Sequence, residues 1–255
     1  LKILATYKDL IVFNVKARLE DDNKAHYAGY LWLLLEPFIS ACIYYLVFKV
    51  LLHRGEEDYI QFLFIGIITW KWFSSSVQNG CNAIYGSRSL YKRIYLPKII
   101  FPWIEVLHNT AKFFIILAAV LATYVFFLDC PVTINYFYLP LLLLCQFIFI
   151  IGITTLLSAI VPYFVDLKIM IGFILRLGFY PTGIIFSLKR IPEEYKFLVD
   201  FNPMAQAVHS IRDIVVYGNP PTMWGFFLLT IIGLITYSMG SALIHSLDKE
   251  YAKIT

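Results

Sequence analysis

The sequence predicts an all-α integral membrane protein with six transmembrane helices. Three observations predict it. Hydrophobic residues make up 60% of the 255-residue chain, charged residues make up only 15%, and the apolar residues gather in runs of spanning length between short polar segments. A soluble domain of ordinary composition has about 25% charged residues. The surplus apolar surface here, with a mean hydropathy of +0.72, calls for lipid. A single polytopic unit, rather than two soluble domains, is therefore expected.

Each element follows from its own pattern. Residues 1–24 carry basic residues throughout and end near Glu20, Asp21 and Asp22. Leu4, Tyr7, Ile11 and Val15 recur at helical spacing, with Lys8 and Lys16 elsewhere on the wheel. That predicts an amphipathic helix lying in the membrane interface; a solvated helix packed on a partner is the alternative. The charged start lacks a small-residue cleavage site, so no cleavable signal peptide is expected, and the first span would direct insertion. That span is 31–52, with Glu36-Pro37 one turn inside, where early N–H groups lack helical partners anyway. A short acidic loop leads to the second span, 60–80. Its polar part, from Ser74 toward Asn82, points to protein or a wet path rather than lipid. The remaining spans are 101–128, 136–161, 169–188 and 223–247. Gly178, Pro181 and Gly183 interrupt the fifth.

The segment between the last two spans is too long for a turn and too apolar for a flexible loop. Asn202-Pro203 reads as an N-cap followed by the first helical position, and Gly218 as the helix stop. The helix so bounded would be about 22 Å long, too short to cross. A re-entrant or interfacial helical pair is predicted over 191–217. Such backbone is tolerated at membrane depth only where protein or a cavity surrounds it.

Six spans put both termini on one side. That side carries twelve Lys/Arg outside the spans and the other side five. The excess places both termini, and the basic segment 86–102, in the cytoplasm, and the 191–217 pair outside it. The expected location is the inner (cytoplasmic) membrane, multi-pass.

Several classes of chemistry are excluded. No G-x-x-x-x-G-K-[ST] occurs, so the chain has no P-loop for ATP. There is no H-E-x-x-H and no C-x-x-C, and the four cysteines sit mostly in apolar surroundings. No catalytic residue, metal ligand or cofactor site is expected in this chain. Nothing in the charge pattern suggests nucleic acid.

Three groups of residues are candidates for function. Lys71, Lys112 and Arg176 are cations inside spans, with Trp70 and Trp72 flanking Lys71. Each should face protein, a cavity or an anion. They define either a path for a phosphate-bearing or acidic substrate, or charges paired with Glu105, Glu36 or backbone. Tyr44, Tyr180, Trp70 and Trp72 offer aromatic faces suited to sugar rings; membrane-interface belts are the other reading of such residues. In the basic segment, Arg88, Tyr91, Lys92, Arg93 and Tyr95 belong to a short cytosolic helix, 86–97, able to enter a groove on another protein; a plain positive-inside loop is the alternative.

The stretch from Leu90 to Pro102, LYKRIYLPKIIFP, resembles the L-x-K-x-x-x-x-P-x-x-x-x-P segment of type-2 ABC exporter permeases. Gly29-Tyr-Leu-Trp32 through Glu36-Pro37 resembles the G-x-L-W-x-x-L-x-P start of their first span. Asn202-Pro203 with Arg212-Asp213 resembles their N-P…R-D hairpin before the last span, and Tyr180-Pro181 fits the end of their fifth. The motifs keep the family order along the chain. Within the family the chain looks most like the O-antigen polysaccharide exporter permeases of the Wzm type, with capsule and teichoic-acid exporters next. The resemblance departs at Lys24-Ala-His26-Tyr27-Ala28, preceded by acids where the family has a basic-aromatic pair and a serine.

The resemblance implies a transmembrane subunit that pairs with a second copy of itself and with two nucleotide-binding ATPase subunits. ATP and Mg would be held by those subunits. The substrate would be an undecaprenyl-diphosphate-linked glycan moving outward through a channel among membrane lipids. On this resemblance, 86–97 is the coupling helix, 1–24 the interface helix and 191–217 the gate, with Asn202, Pro203 and Arg212 as gate residues. Export of teichoic acid, capsule, drugs or lipids is the alternative within the family. A proton-coupled carrier or a membrane glycosyltransferase is the alternative outside it.

Overall fold

The computed structural model describes residues 2–25, 29, 31–53, 58–91, 96–127, 133–187, 191–248 and 250–251. Among these residues the fold is helical and has no strand. The chain runs α1 (Lys2–Thr6), α2 (Lys8–Ala25), α3 (Leu31–Tyr45, continued by a π-helical turn Leu46–Leu51), α4 (Tyr59–Gly80), α5 (Ala83–Gly86), α6 (Arg88–Tyr91) and α7 (Ile100–Phe127). A 3-10 turn, Ile134–Phe137, opens α8 (Tyr138–Ile160). There follow α9 (Leu167–Gly178), α10 (Lys196–Asp200), α11 (Pro203–Val215) and α12 (Met223–Ser246).

Among the described residues, five helical stretches are long and apolar enough to cross a membrane: Leu31–Leu51, Tyr59–Gly80, Ile100–Phe126, Ile134–Ile160 and Met223–Ser246. The fifth predicted span, 169–188, is not one continuous helix. α9 has 12 residues, about 18 Å of helix, too short to cross alone. Pro181 sits in the 3-10 turn Tyr180–Thr182, and Gly183 takes the left-handed conformation that ends it. The chain then continues as irregular backbone whose Ile184 and Ile185 are buried.

α4 is the centre of the bundle. Of its membrane-length window 67% is buried, against 11% for α3. α3, α7, α8, α9 and α11 all pack on α4. α3 instead shows Phe38, Ile39 and Ile43 to the outside.

α8 and α12 form the most extensive helix pair. Small residues let their backbones approach: a Cβ on Gly233 would lie 2.7 Å from the Ile148 carbonyl, and one on Gly240 2.5 Å from the Leu156 nitrogen. α11 lies across one end of this pair and against α4. It is buried nearly all round, from Met204 to Val215. The first arm of the predicted pair is different: α10 is five residues long and only Val199 is buried.

The apolar stripe of the N-terminal helix finds its cover within the chain. Leu4, Tyr7, Ile11 and Val15 do line one face, but that face packs on Ile100, Ile104 and Leu107 of α7 rather than on lipid. Further along, Arg18 pairs with Glu105 and Asp22 with Lys112. Both helices advance together through three turns, so α2 runs alongside α7 and does not cross it squarely. The reason lies in α7, whose residues at 100, 104 and 107 supply a matching apolar stripe.

Gly233→Val should loosen the α8–α12 pair, because carbonyl backbone cannot move aside for the new side chain. The expected cost is about 1–3 kcal/mol, read as a lower melting temperature in detergent. Gly86→Ala, whose Cβ would meet only the Asn82 side-chain nitrogen at 3.2 Å, should melt like the parent chain.

Candidate functional site

The polar end of α4 faces α9 across an open cleft of about 860 Å³. The sequence supplies both walls. Ser74, Ser75, Gln78 and Asn79 recur along one side of α4, and Lys168, Gly172 and Arg176 at i, i+4, i+8 along α9. Tyr44 of α3 and Phe179-Tyr180 close the far end. Four predicted path residues meet here: Tyr44, Trp70, Arg176 and Tyr180. Tyr44 stacks on Phe179 with ring centroids 5.6 Å apart, and Trp70 meets the edge of Phe179 at 6.1 Å. The guanidinium of Arg176 lies 5.4 Å from the Phe173 ring centroid. Gln78 donates to the Lys168 carbonyl (3.4 Å) and so ties the two walls together at one end. Among the described residues no acid lines this cleft, but Gln78, Asn79 and Lys168 also border an adjoining depression of about 520 Å³ that Asp21, Asp22 and Glu105 line.

Lys71 and Lys112 lie on the other side of α4. They line a smaller depression of about 260 Å³ that shares Ser75 and Asn79 with the cleft. Lys71 pairs with Glu36 of α3. Lys112 donates to Asp22 (2.8 Å), and His108 Nε2 lies 3.0 Å from the same carboxylate. Burial pushes the Asp22 carboxyl up, but Lys112 and His108 outweigh it and hold it below the usual carboxylate range. Both lysines therefore spend their charge on acids. Glu36 is one of the partners expected from sequence; Asp22 is not. Trp72 also stands apart from the cleft. It is buried, stacks on Phe113 at 4.2 Å and donates to Thr110 Oγ1 at 3.0 Å. It lines the smaller depression on one side and an apolar one, with Phe114 and Leu143, on another.

Asn202 and Pro203 open α11 as expected. The Asn202 side chain accepts from the backbone nitrogens of Met204 (3.1 Å) and Ala205 (3.3 Å), and Pro203 takes the first turn. Gly218 adopts φ 66° just after the helix. Arg212, 2% exposed, is the most constrained cation among the described residues. Its guanidinium donates to the carbonyls of Phe62 (2.8 Å), Gly183 (2.7 Å) and Ile184 (2.8 Å) and lies 3.5 Å from the Phe62 ring centroid. A side chain on Gly66 would collide with it.

The basic segment begins as two single helical turns, α5 and α6, broken at Ser87. Lys92, Arg93 and Tyr95, and the His26-Tyr27 region, lie outside the described residues. Arg88 is exposed and sits 4.6 Å from the Tyr85 ring centroid. Tyr91 is not available to a partner. It is buried against Phe101 and donates to the carbonyl of Tyr251 (3.4 Å). The sequence had offered Tyr91 as a contact because an aromatic beside basic residues suits a groove; the apolar floor of Ile84, Ala159 and Ile244 claims it instead.

Sequence reasoning missed Lys168 as a cleft residue, since it reads as a loop charge. It also missed the pairing of Lys98, 4% exposed, with Asp248 at 3.0 Å. A polar run at the end of an apolar helix was the available signal for Ser75, Gln78 and Asn79.

A bundle with several membrane-length helices around a polar, cation-bearing cleft defines a multi-pass membrane permease. The chain belongs to the ABC-2 type transporter family, which matches residues 22–216. It is 26% identical over 247 residues to the O-antigen export system permease protein RfbA of Klebsiella pneumoniae, covering 96% of this chain and 95% of that one. The Myxococcus xanthus protein of the same name is 26% identical over 98% of this chain and 96% of its own length. The polysialic acid transport protein KpsM of Escherichia coli is 26% identical over 89% of this chain and 88% of its own. The family implies an ABC ATPase partner, and this chain is the membrane subunit.

Arg212→Lys keeps the charge but loses the planar fork that reaches three carbonyls. It should destabilise the chain by about 2–4 kcal/mol, seen as a lower melting temperature with loss of protection at 183–185 in hydrogen exchange.

Proposed function

We propose that this chain is the transmembrane subunit of an ATP-driven exporter that moves a lipid-diphosphate-linked polysaccharide out across the cytoplasmic membrane. The observation that carries the reading is the cleft between α4 and α9. Its lining brings two cations of α9, Lys168 and Arg176, together with the aromatic faces of Tyr44, Trp70 and Phe179, while the nearest acids lie in the adjoining depression at the Lys168 end. Cations suit a diphosphate, and aromatic faces suit the C–H patches of sugar rings. Gln78, Asn79 and Lys168 are too polar to face lipid across an open side. In this reading a second copy of the chain closes the cleft, and two such walls make one channel.

The names of the relatives support the same class of cargo, since O-antigen and polysialic acid are both polysaccharides. Export of an acidic capsule-type polymer is the second reading, favoured by the KpsM likeness and by the paired cations of the cleft. In this reading ATP and Mg are held by two separate nucleotide-binding subunits, docked at the basic segment, in keeping with the lack of a P-loop motif in this sequence. The 167–187 segment completes a sixth crossing, both termini are cytoplasmic, and 191–217 forms the re-entrant gate at the outer side.

Two experiments test this reading. With the ATPase subunit in proteoliposomes, lipid-linked O-antigen should stimulate ATP hydrolysis. Lys168→Gln with Arg176→Gln should cut that stimulation at least about tenfold while leaving the unstimulated rate intact, as expected when a charged contact worth about 1.5–3 kcal/mol is lost. Undiminished stimulation would remove the cleft from the path. Separately, Lys92→Glu with Arg93→Glu should abolish co-purification of the ATPase with a chain that still inserts. Normal co-purification sinks the docking site.

A further inference from the structure

The last turn of the chain is wedged between the basic segment and the ends of two spans. Tyr251, in the turn that follows α12, is 0% exposed. Its hydroxyl donates to the Ala159 carbonyl (2.9 Å), in the final turn of α8, where carbonyls have no helical partner. Its own carbonyl accepts from Tyr91, and its ring packs 5.7 Å from that of Tyr163. Three residues earlier, Asp248 neutralises Lys98, whose ammonium also lies 5.6 Å from the Tyr91 ring centroid. Around these contacts Ile84, Phe101 and Ile244 complete a small apolar core separate from the main one.

This core touches the cytosol-facing ends of α8 and α12, the pair that glycines hold backbone to backbone. At the other end of the same pair sits α11. A Cβ on Gly225 of α12 would lie 3.2 Å from Gln206 Cβ, Thr222 donates to Gln206 (3.3 Å), and Tyr136 donates to the Val215 carbonyl (3.3 Å). The basic segment and α11 are therefore fastened to opposite ends of one stiff two-helix strut about 34 Å long.

We propose that the C-terminal tail, through Tyr251 and Asp248, clamps the basic segment to the α8–α12 strut, so that displacement of the segment by the ATPase is delivered to α11. Tyr251 and Asp248 are positioning residues: they touch no cargo and no nucleotide. The inference rests on the docking role of the basic segment given above. Without the clamp, only the apolar contacts of Ala83, Ile84 and Tyr91 with Ala159 and Ile244 would hold the segment to the strut, and its motion would be passed on less completely. A buried cation such as Lys98 is retained at a desolvation cost, and its use here is to fix one register between two surfaces.

The test uses the complete permease–ATPase complex in proteoliposomes. A cysteine at Asn219, exposed just beyond α11, reports through the rate of modification by an impermeant maleimide, with and without ATP. In the parent complex ATP should change that rate. Tyr251→Phe keeps the ring and loses the bond to Ala159. It should keep ATPase assembly and hydrolysis within about twofold and shrink the ATP-dependent change about three- to tenfold, the ratio equivalent of one neutral hydrogen bond. Asp248→Asn should do the same or more. Lys98→Met with Asp248→Leu joins the same surfaces without charge and should restore the response to within about twofold. An undiminished response in Tyr251→Phe and Asp248→Asn overturns the clamp. So does a loss of assembly in step with the response, which would make the tail a folding element only. A parent complex in which ATP is hydrolysed but Asn219→Cys never responds would instead overturn the coupling reading on which the clamp depends.

Discussion

The constraint on which this fold turns is the break in the chain after α9. A helix that ends inside a membrane protein frees carbonyls that lipid cannot satisfy. Here Pro181 and Gly183 end it, and the carbonyls of Gly183, Ile184 and Ile185 need donors. Arg212 supplies two of them and Tyr59 the third, at 2.7 Å. No other side chain carries as many donors in one plane. The charge is tolerated because carbonyl dipoles and the face of Phe62 surround it, and because Gly66 leaves room for it. The result joins three distant parts of the chain: the start of α4, the irregular segment after α9, and α11. They form one body around a single guanidinium, so the segment most in need of support is the one least free to move alone.

That body sits at one end of α4, and the polar cleft opens toward the other. α4 changes character along its length, from Phe62, Leu63 and Ile65 to Ser75, Gln78 and Asn79. The charges divide accordingly. Lys71 and Lys112 are answered by Glu36 and Asp22, and with Arg18 and Glu105 they bind α2 and α3 to α7 and α4. Lys168 and Arg176 line the cleft, and Lys168 also borders the depression that holds Asp21, Asp22 and Glu105. The cations thus do two jobs: Lys71 and Lys112 assemble the bundle, and Lys168 and Arg176 give the cleft its positive charge. Because the Asp22 carboxylate is held below its ordinary range, the Asp22–Lys112 contact between α2 and α7 keeps its charge as pH falls through the usual carboxylate range, and loosens only in more acid solution.

Much of this architecture was legible in the residues. Apolar run length revealed the long spans, and Asn202-Pro203 with Gly218 fixed α11 nearly to the residue, because caps and stops act through local hydrogen bonds. The stripe of Leu4, Tyr7, Ile11 and Val15 was legible as a stripe but not as to what covers it, since that depends on Ile100, Ile104 and Leu107 far along the chain. The same limit explains Lys71 and Trp72. Their types implied protein or a cavity, but helix rotation decided that one pairs with Glu36 and the other stacks on Phe113. Tyr91 and Lys98 were misleading for a sharper reason. A basic-aromatic run reads the same whether it meets a partner or its own chain, and the answer lay in Asp248 and Tyr251, at the end of the sequence and without any motif.

The basic segment consequently has two faces with different chemistry. Arg88 is exposed and rests on Tyr85, so its charge is presented outward. Tyr91 and Lys98 turn inward, where one aromatic ring and one ion pair fix the segment against the spans. A segment that only bound a partner would need the first face; one that only closed a loop would need the second. Having both within eleven residues fits the coupling role proposed above, which calls for an outward surface and a firm attachment. The attachment is built from groups that are costly to separate, a buried charge and a phenol bonded to an orphan helix carbonyl, whereas the outward face uses a solvated cation that costs little to engage and release.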